Sequence, residues 1–204
     1  VAVAWFYDRR RAQYQRPVGT RSVTLGESEL MALATAKISL STQRMDRISQ
    51  DYLSGGTLTD WHARAQEEML NLHSDLFILG RGGLRSMTKR DFRLLRRVLR
   101  FHNYKLGQFY QDLAGGDYPE GRARDRLRMY AQSARNSFLR GRHEAMKAAG
   151  LSQAQRSLDP LVKEHCRQCP GYDTGGTWVS IDRLILPGEA CDCGARCRCR
   201  VRYR

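Results

Sequence analysis

The first 165 of the 204 residues contain no cysteine, and no apolar run approaches the roughly 18–20 residues that cross a bilayer. The first absence excludes a secreted domain stapled throughout by disulfides, and the second argues against a membrane-spanning helix. Val1–Tyr7 is apolar but too short for the hydrophobic region of a signal peptide and carries no cleavage pattern. The chain opens on Val1 rather than Met, which fits a processed, trimmed or internally started product. Acidic residues are scarce: 21 Asp and Glu face 35 Lys and Arg, a formal net charge of +14. That excess suits a polyanion or an acidic protein surface, or a soluble helical protein that simply uses many arginines. A Walker A loop, HExxH and GxSxG are all missing, so the expectation is no enzyme, no small-molecule substrate and no membrane partner.

A hydrophobic share of 41% is enough to build a core. Residues 1–20 show no clear period and carry the basic run Arg9–Arg11, which predicts an extended basic arm ordered only against something else. From Glu27 to Leu53, Met31, Ala34, Ile38, Ser41, Met45, Ile48 and Tyr52 recur at alternating spacings of three and four, one face of a helix. Ser54-Gly55-Gly56 ends it. A second stripe runs Leu58, Trp61, Ala65, Met69, Leu72, Leu76, Leu79, and stops at Gly80-Arg81-Gly82-Gly83. Thr88-Lys89-Arg90-Asp91 reads as a capping-box variant opening a third helix, whose stripe is Phe92, Leu95, Leu99, His102, Leu106, Phe109, Leu113 before Gly115-Gly116. A fourth helix, from about Pro119 to Ala149, buries Leu127, Tyr130, Ala134, Phe138 and Met146. Long one-sided helices joined by short glycine turns predict an antiparallel helical bundle over residues 21–158. His102, on an apolar stripe, reads as a core or interface histidine rather than a ligand.

After Asp159-Pro160 the character changes, and residues 159–204 read as a small Cys-rich, β-containing knuckle. In Cys197-Arg-Cys-Arg-Val-Arg-Tyr-Arg204 the residues alternate strictly, so Cys197, Cys199, Val201 and Tyr203 share one face of a strand and four arginines the other. All six cysteines lie here: Cys166-x2-Cys169, then Cys191-x-Cys193-x3-Cys197-x-Cys199. A CxxC turn presents two thiolates to one tetrahedral ion, and a second pair from a distant strand closes the site. The reading is a structural zinc held by Cys166 and Cys169 with Cys193 and Cys197, Cys199 being the alternative fourth ligand. Disulfides or free thiols are the competing readings. Asp159, Asp173, Asp182 and Glu189 surround the knuckle and raise a metal-dependent nuclease as a minor alternative, but all-sulfur sites are typically closed.

Arginine concentrates in three places. Between Arg81 and Arg100, eight basic residues face Asp91 alone, with Arg93, Arg96, Arg97 and Arg100 the densest set. The fourth helix adds seven arginines, and the terminal strand adds Arg198, Arg200, Arg202 and Arg204. Such density suits phosphate contacts, salt-sensitive and indifferent to base sequence, or an acidic protein surface.

The tail as a whole resembles the C-terminal motif of tailed-bacteriophage minor head proteins, the Mu F-like head-morphogenesis family. The matching elements are Cys166/Cys169, Gly176-Thr177-Trp178, Leu186-Pro187-Gly188, Cys193 and Cys197-Arg198-Cys199, followed by a basic strand. Arg128-Met129-Tyr130-Ala131 and Ser137-Phe138 in the preceding helix are also similar to the family. The chain departs from it by the extra sulfur of Cys191 and by Thr177 between glycine and tryptophan. The resemblance implies a low-copy virion protein, made in the host cytoplasm and placed at the portal vertex or capsid interior. Its implied partners are portal or major capsid protein and packaged DNA, and its implied role is head assembly and DNA packaging. A standalone zinc-knuckle nucleic-acid binder is the alternative.

Overall fold

Helices with a single apolar face gain their stability by covering one another. A computed structural model describes residues 6–8, 13–18, 21–117, 119 and 122–204. Four long helices fall between the glycine breaks: α1 (Glu27–Leu53), α2 (Leu58–Arg81), α3 (Lys89–Ala114) and α4 (Arg122–Ala148). Thr88 caps α3 as its sequence predicts. Its hydroxyl accepts from the Asp91 amide at 3.2 Å, and the Asp91 carboxylate accepts from the Thr88 amide at 2.8 Å. The fold is mainly α with a small β-containing, Cys-rich C-terminal region, in agreement with the sequence pattern.

One stripe is rotated from expectation. Phe92 is 46% exposed, and Asp91 is buried in its place. Asp91 serves the cap and also accepts from Arg81 Nε at 2.9 Å, a buried ion pair that fixes the α2–α3 corner. Turning Asp91 inward turns its neighbour out, since successive helix residues are about 100° apart.

The bundle is organised by a backbone contact between α2 and α4. A Cβ on Gly80 would lie 2.1 Å from the Phe138 carbonyl oxygen, and one on Gly141 would lie 2.2 Å from that of Phe77. The contact is reciprocal, and so is its sequence: Phe77-x-x-Gly80-Arg81 meets Phe138-x-x-Gly141-Arg142. Both phenylalanines are fully buried. Each arginine leaves the crossing for an anchor: Arg81 for Asp91, and Arg142 for Glu27 at 2.5 Å, at the start of α1. Inside the same core His73 and His102 stack with ring centroids 3.8 Å apart, and His73 Nδ1 lies 2.7 Å from Ser137 Oγ. Burial pushes His102 down to about 4, and it holds His73 well below its ordinary value, with the neighbouring His102 adding to the effect.

After α4 the chain turns at Gly150 into β4 (Gln153–Ser157), inside the interval that the sequence assigns to the bundle. β4 is the middle strand of an antiparallel sheet between β5 (Val179–Ser180) and β6 (Arg200–Tyr203), with Ala154 opposite Tyr203 and Arg156 opposite Val201. Ile181, Leu184, Leu186 and Val201 join the bundle's apolar core, so the C-terminal region shares that core. At the other end, β1 (Phe6–Asp8), β2 (Gln13–Val18) and β3 (Arg21–Leu25) form a second antiparallel sheet in that order. The expected arm over residues 1–20 thus contains paired strands that continue to Leu25, while its basic run Arg9–Arg11 lies outside the described residues. Among the described residues no helix is long and apolar enough to cross a membrane.

Two outcomes follow from this core. Gly141→Ala gains helix propensity of about 1 kcal/mol but forces two backbones apart, and overpacking of this kind costs typically 1–3 kcal/mol or more. The net effect is a lower thermal midpoint, and an unchanged midpoint would show that the helices do not meet at this glycine. His73 and His102 are neutral when folded and have depressed folded pKa values. Their contribution is therefore fully present above the unfolded value of about 6.5 and is lost as pH falls towards 4. Thermal unfolding should show this decline between pH 6.5 and 4, above the range where the carboxylates of Asp46 and Asp182, held low by Arg128 and Lys147, begin to titrate. His102→Gln should flatten it.

Candidate metal centre

The sulfur-bearing segments are fixed by α4 and by β4. From α4, Arg135 donates to the Cys197 carbonyl, Arg140 pairs with Glu189 and Lys147 with Asp182. Gly188, at φ +84°, completes the Leu-Pro-Gly turn against the Asn136 side chain and the Gly194 carbonyl, a position that a side chain would have to displace. From β4, the Arg156 carbonyl accepts from the Thr174 amide at 2.9 Å and the Thr174 hydroxyl at 3.1 Å, while Asp173 accepts from the Leu158 amide at 3.1 Å. The loop between the CxxC turn and the strands is thereby latched on both sides. The short helix α5 (Cys169–Tyr172) begins at the second cysteine of the CxxC pair.

All six cysteines are free thiols, and they converge. The sulfurs of Cys166, Cys169, Cys191 and Cys193 lie within 4.8 Å of one another, as do those of Cys169, Cys197 and Cys199. Individual separations are 3.3 Å for Cys191–Cys193, 3.4 Å for Cys169–Cys193, 3.6 Å for Cys169–Cys199 and 3.8 Å for Cys169–Cys197. A disulfide would bring sulfurs to about 2.05 Å, whereas four thiolates at about 2.3 Å from one tetrahedral ion stand about 3.8 Å apart. The spacing fits metal ligation. Cys169, Cys191, Cys197 and Cys199 are buried, and Cys166 and Cys193 are half-buried. Alternation of the terminal segment holds as predicted: Cys197, Cys199 and Val201 face in, while Arg198, Arg200 and Arg202 face out.

The sequence places Cys166, Cys169, Cys193, Cys197 and Cys199 in one site, and the fold brings all five together. It also brings in Cys191, the sulfur that departs from the family pattern. Cys191 completes the four-sulfur group with the CxxC pair and Cys193, while Cys197 and Cys199 approach Cys169 from the strand side. Asp159, Asp173, Asp182 and Glu189 belong to neither group. Asp159 accepts from Arg200 at 2.9 Å, Asp182 and Glu189 are paired with α4, and Asp173 holds the latch.

Sequence reasoning misses Arg156. It is fully buried, and its Nη2 lies 3.4 Å from Cys169 Sγ, 3.6 Å from Cys199, 3.7 Å from Cys197 and 3.8 Å from Cys191. Nη1 donates to the carbonyls of Ile185 at 3.0 Å and Leu186 at 3.4 Å, and the guanidinium lies over the Tyr172 ring. A buried guanidinium needs an anion, and the groups that surround Nη2 are sulfurs. Burial alone would weaken its charge, but Cys199, Cys191 and Cys197 more than offset that and hold it protonated. The β4 burial pattern, with every second residue inside, is the signal that could have found it.

The thiols are unlike one another. Burial drives Cys166 up, but hydrogen bonds from the Cys193 amide and from neighbouring thiols and the Cys169 amide outweigh it and hold Cys166 down at about 6. Burial pushes Cys169, Cys193 and Cys197 up. A bound cation is the ordinary means of keeping buried sulfurs as thiolates, and binding releases their protons to solvent.

The predicted anion-contact arginines lie elsewhere. Arg93, Arg96, Arg97 and Arg100 are exposed along α3, beside exposed Phe92, Phe101 and Tyr104. Of the terminal set, Arg200 is engaged by Asp159, and Arg204 stacks on Trp178 at 4.5 Å and donates to Gln153, so Arg198 and Arg202 are the outward pair. No known family model, curated protein or solved structure matches the chain.

Arg156→Met keeps the bulk and removes the cation beside the sulfurs. Metal affinity, read by chelator competition, should fall about tenfold to hundredfold, the usual effect of losing a group that supports the ligands. Cys169→Ser should strip amide-exchange protection from residues 158–199 while far-UV circular dichroism keeps the signal of the four long helices. Unchanged exchange in that segment would refute the cross-link.

Proposed function

We propose that this chain is a structural protein of a tailed-bacteriophage head. It acts as a minor component at the portal or capsid during head assembly and DNA packaging, and zinc cross-links its cysteine cluster. The observation that carries this reading is that the C-terminal elements of the resemblance lie in one folded unit. The CxxC and Cys-Arg-Cys pairs supply sulfurs, the Leu-Pro-Gly turn seats on Asn136 and offers the Leu186 carbonyl to Arg156, and Trp178 supports Arg204. A motif whose parts build and brace one local cross-link suits a structural component, and Asp159, Asp173, Asp182 and Glu189 are spent on ion pairs and turns. Zinc is the metal of choice for a set of thiolates alone, and a protein made in a reducing cytoplasm keeps its thiols available for it.

The exposed face of α3 favours a polyanionic or acidic neighbour. From Phe92 to Gln111 the sequence contains no carboxylate, and four arginines stand out beside aromatic rings. In the head-protein reading this face lies against packaged DNA or an acidic portal or capsid surface. In the alternative reading, a free zinc-knuckle nucleic-acid binder, it carries the whole function.

Mass spectrometry of purified particles separates the two. A head component is recovered from mature particles at low, fixed copy number, whereas a free regulator is absent from them. If DNA is the neighbour, binding should weaken steeply with salt and ignore sequence. Replacing Arg93, Arg96, Arg97 and Arg100 by Gln should then reduce the slope of log affinity against log salt by roughly 3–4, about 0.9 for each phosphate that is no longer neutralised. An unchanged slope would move the DNA-facing surface to another side of the molecule.

A further inference from the structure

Six sulfurs are more than one tetrahedral ion can use. The group of Cys166, Cys169, Cys191 and Cys193 is complete by itself, which leaves Cys197 and Cys199 to be explained. Both are almost fully buried, at 2% and 1% exposure. Neither points into the apolar core, where an unused thiol would pack as a small hydrophobe. Instead their sulfurs lie 3.8 and 3.6 Å from Cys169, a member of the complete group, and 3.7 and 3.6 Å from Arg156 Nη2. A guanidinium can only donate, so Nη2, whose two hydrogens are shared among the four sulfurs that face it, Cys169, Cys191, Cys197 and Cys199, favours them as acceptors. Two of those four belong to the first group and two do not.

We propose that the cluster binds two divalent cations of the zinc type, one in the group of Cys166, Cys169, Cys191 and Cys193 and a second at Cys197 and Cys199, with the Cys169 thiolate shared between them. This rests on the metal-binding reading of the cluster and extends it. Two tetrahedral ions require eight metal–sulfur bonds, and six thiolates supply eight only if two of them are shared. Cys169 is one, because it belongs to both sulfur groups. We take Cys191 as the other, because it is the second sulfur of the first group that faces the same Nη2 as Cys197 and Cys199.

Charge supports the same count. Two divalent cations and six thiolates leave roughly two negative charges in a buried site, which need nearby compensation. Two guanidinium groups are in place: Arg156 at full burial, and Arg135, half-buried, which donates to the Cys197 carbonyl and feels the Cys197 and Cys199 sulfurs. On loading, each thiol loses its proton to solvent and its sulfur lone pair forms the new bond, with no change of oxidation state.

The test uses the full chain prepared in excess zinc and freed of loosely held metal. Inductively coupled plasma and native mass spectrometry should give two zinc ions per chain. After exchange into cadmium-113, NMR should show two resonances split by coupling to each other through the shared sulfurs. Cys199→Ser should reduce both readouts to one ion and one unsplit resonance. One ion per chain in the wild type would overturn the second site and leave the single-metal reading intact. A chain that holds no metal would overturn both. The wild-type count decides the matter even if the variant does not fold.

Discussion

Two helix backbones touch at Gly80 and Gly141, and most of the architecture follows from how close they come. Helices separated by ordinary side chains lie 8–10 Å apart, whereas glycine on both sides lets carbonyls meet the opposing chain directly. The contact buries the second half of α2 on nearly every side, from Leu72 to Arg81. It also determines which residues of α4 remain to face away from α2. The two arginines that follow the glycines convert a local contact into a global one. Arg81 reaches Asp91 and sets the corner into α3, and Arg142 reaches Glu27 at the start of α1, with its guanidinium over the Tyr203 ring of β6.

From that crossing, α4 acts as a bracket for the C-terminal region. Its later turns present Arg135 to Cys197, Asn136 and Arg140 to the turn at Gly188 and Glu189, and Lys147 to Asp182, three segments of the C-terminal region. β4 then enters beneath those loops and delivers Arg156 to the middle of the sulfur cluster. The C-terminal region is thus held by two kinds of force. Ile181, Leu184, Leu186 and Val201 bury apolar surface in the bundle's own core, while the cysteines form a separate cluster with little apolar surface of its own. Burial suffices for the first half. The second depends on charge and ligation, which is why a single arginine has so many sulfur neighbours.

Much of this was legible in the residues. The spacing of apolar positions and the glycine pairs located four helices, and the strict alternation from Cys197 onward located the inward face of the last strand. The Thr88 cap was readable because its hydrogen bonds are local. What escaped was whatever depends on a distant partner. Phe92 fits the apolar stripe of α3, but the tertiary demand of Arg81 on Asp91 rotates it out. Gly80 and Gly141 sit among apolar residues as if they were weak points in two helices, and only their meeting shows their use. Arg156 looks like one basic residue among 35 Lys and Arg. Cys191 looked superfluous because the CxxC spacing calls for only four sulfurs, and spacing says nothing of where a turn such as Leu186-Pro187-Gly188 aims the next residue.

The distribution of carboxylates ties the site to the kind of work the chain can do. A catalytic metal site keeps a coordination position open and sets an acid or base beside it. Here Asp159 is taken by Arg200, Asp182 by Lys147, Glu189 by Arg140, and Asp173 by the amides of Leu158 and Gly175, while Glu164 and His165 line the same pocket as five of the cysteines. The group that does stand beside the sulfurs is a guanidinium, which neither accepts a proton nor releases one. In the reading proposed above, a centre of sulfurs backed by Arg156 stiffens a terminus and holds it to the bundle. Among the described residues the hydrogen bonds and ion pairs that hold the sulfur loops come from α4 and β4, and the exposed arginines of α3 face outward. In the proposed reading, cross-linking and surface contact are carried by different residues, so that docking need not disturb the fold.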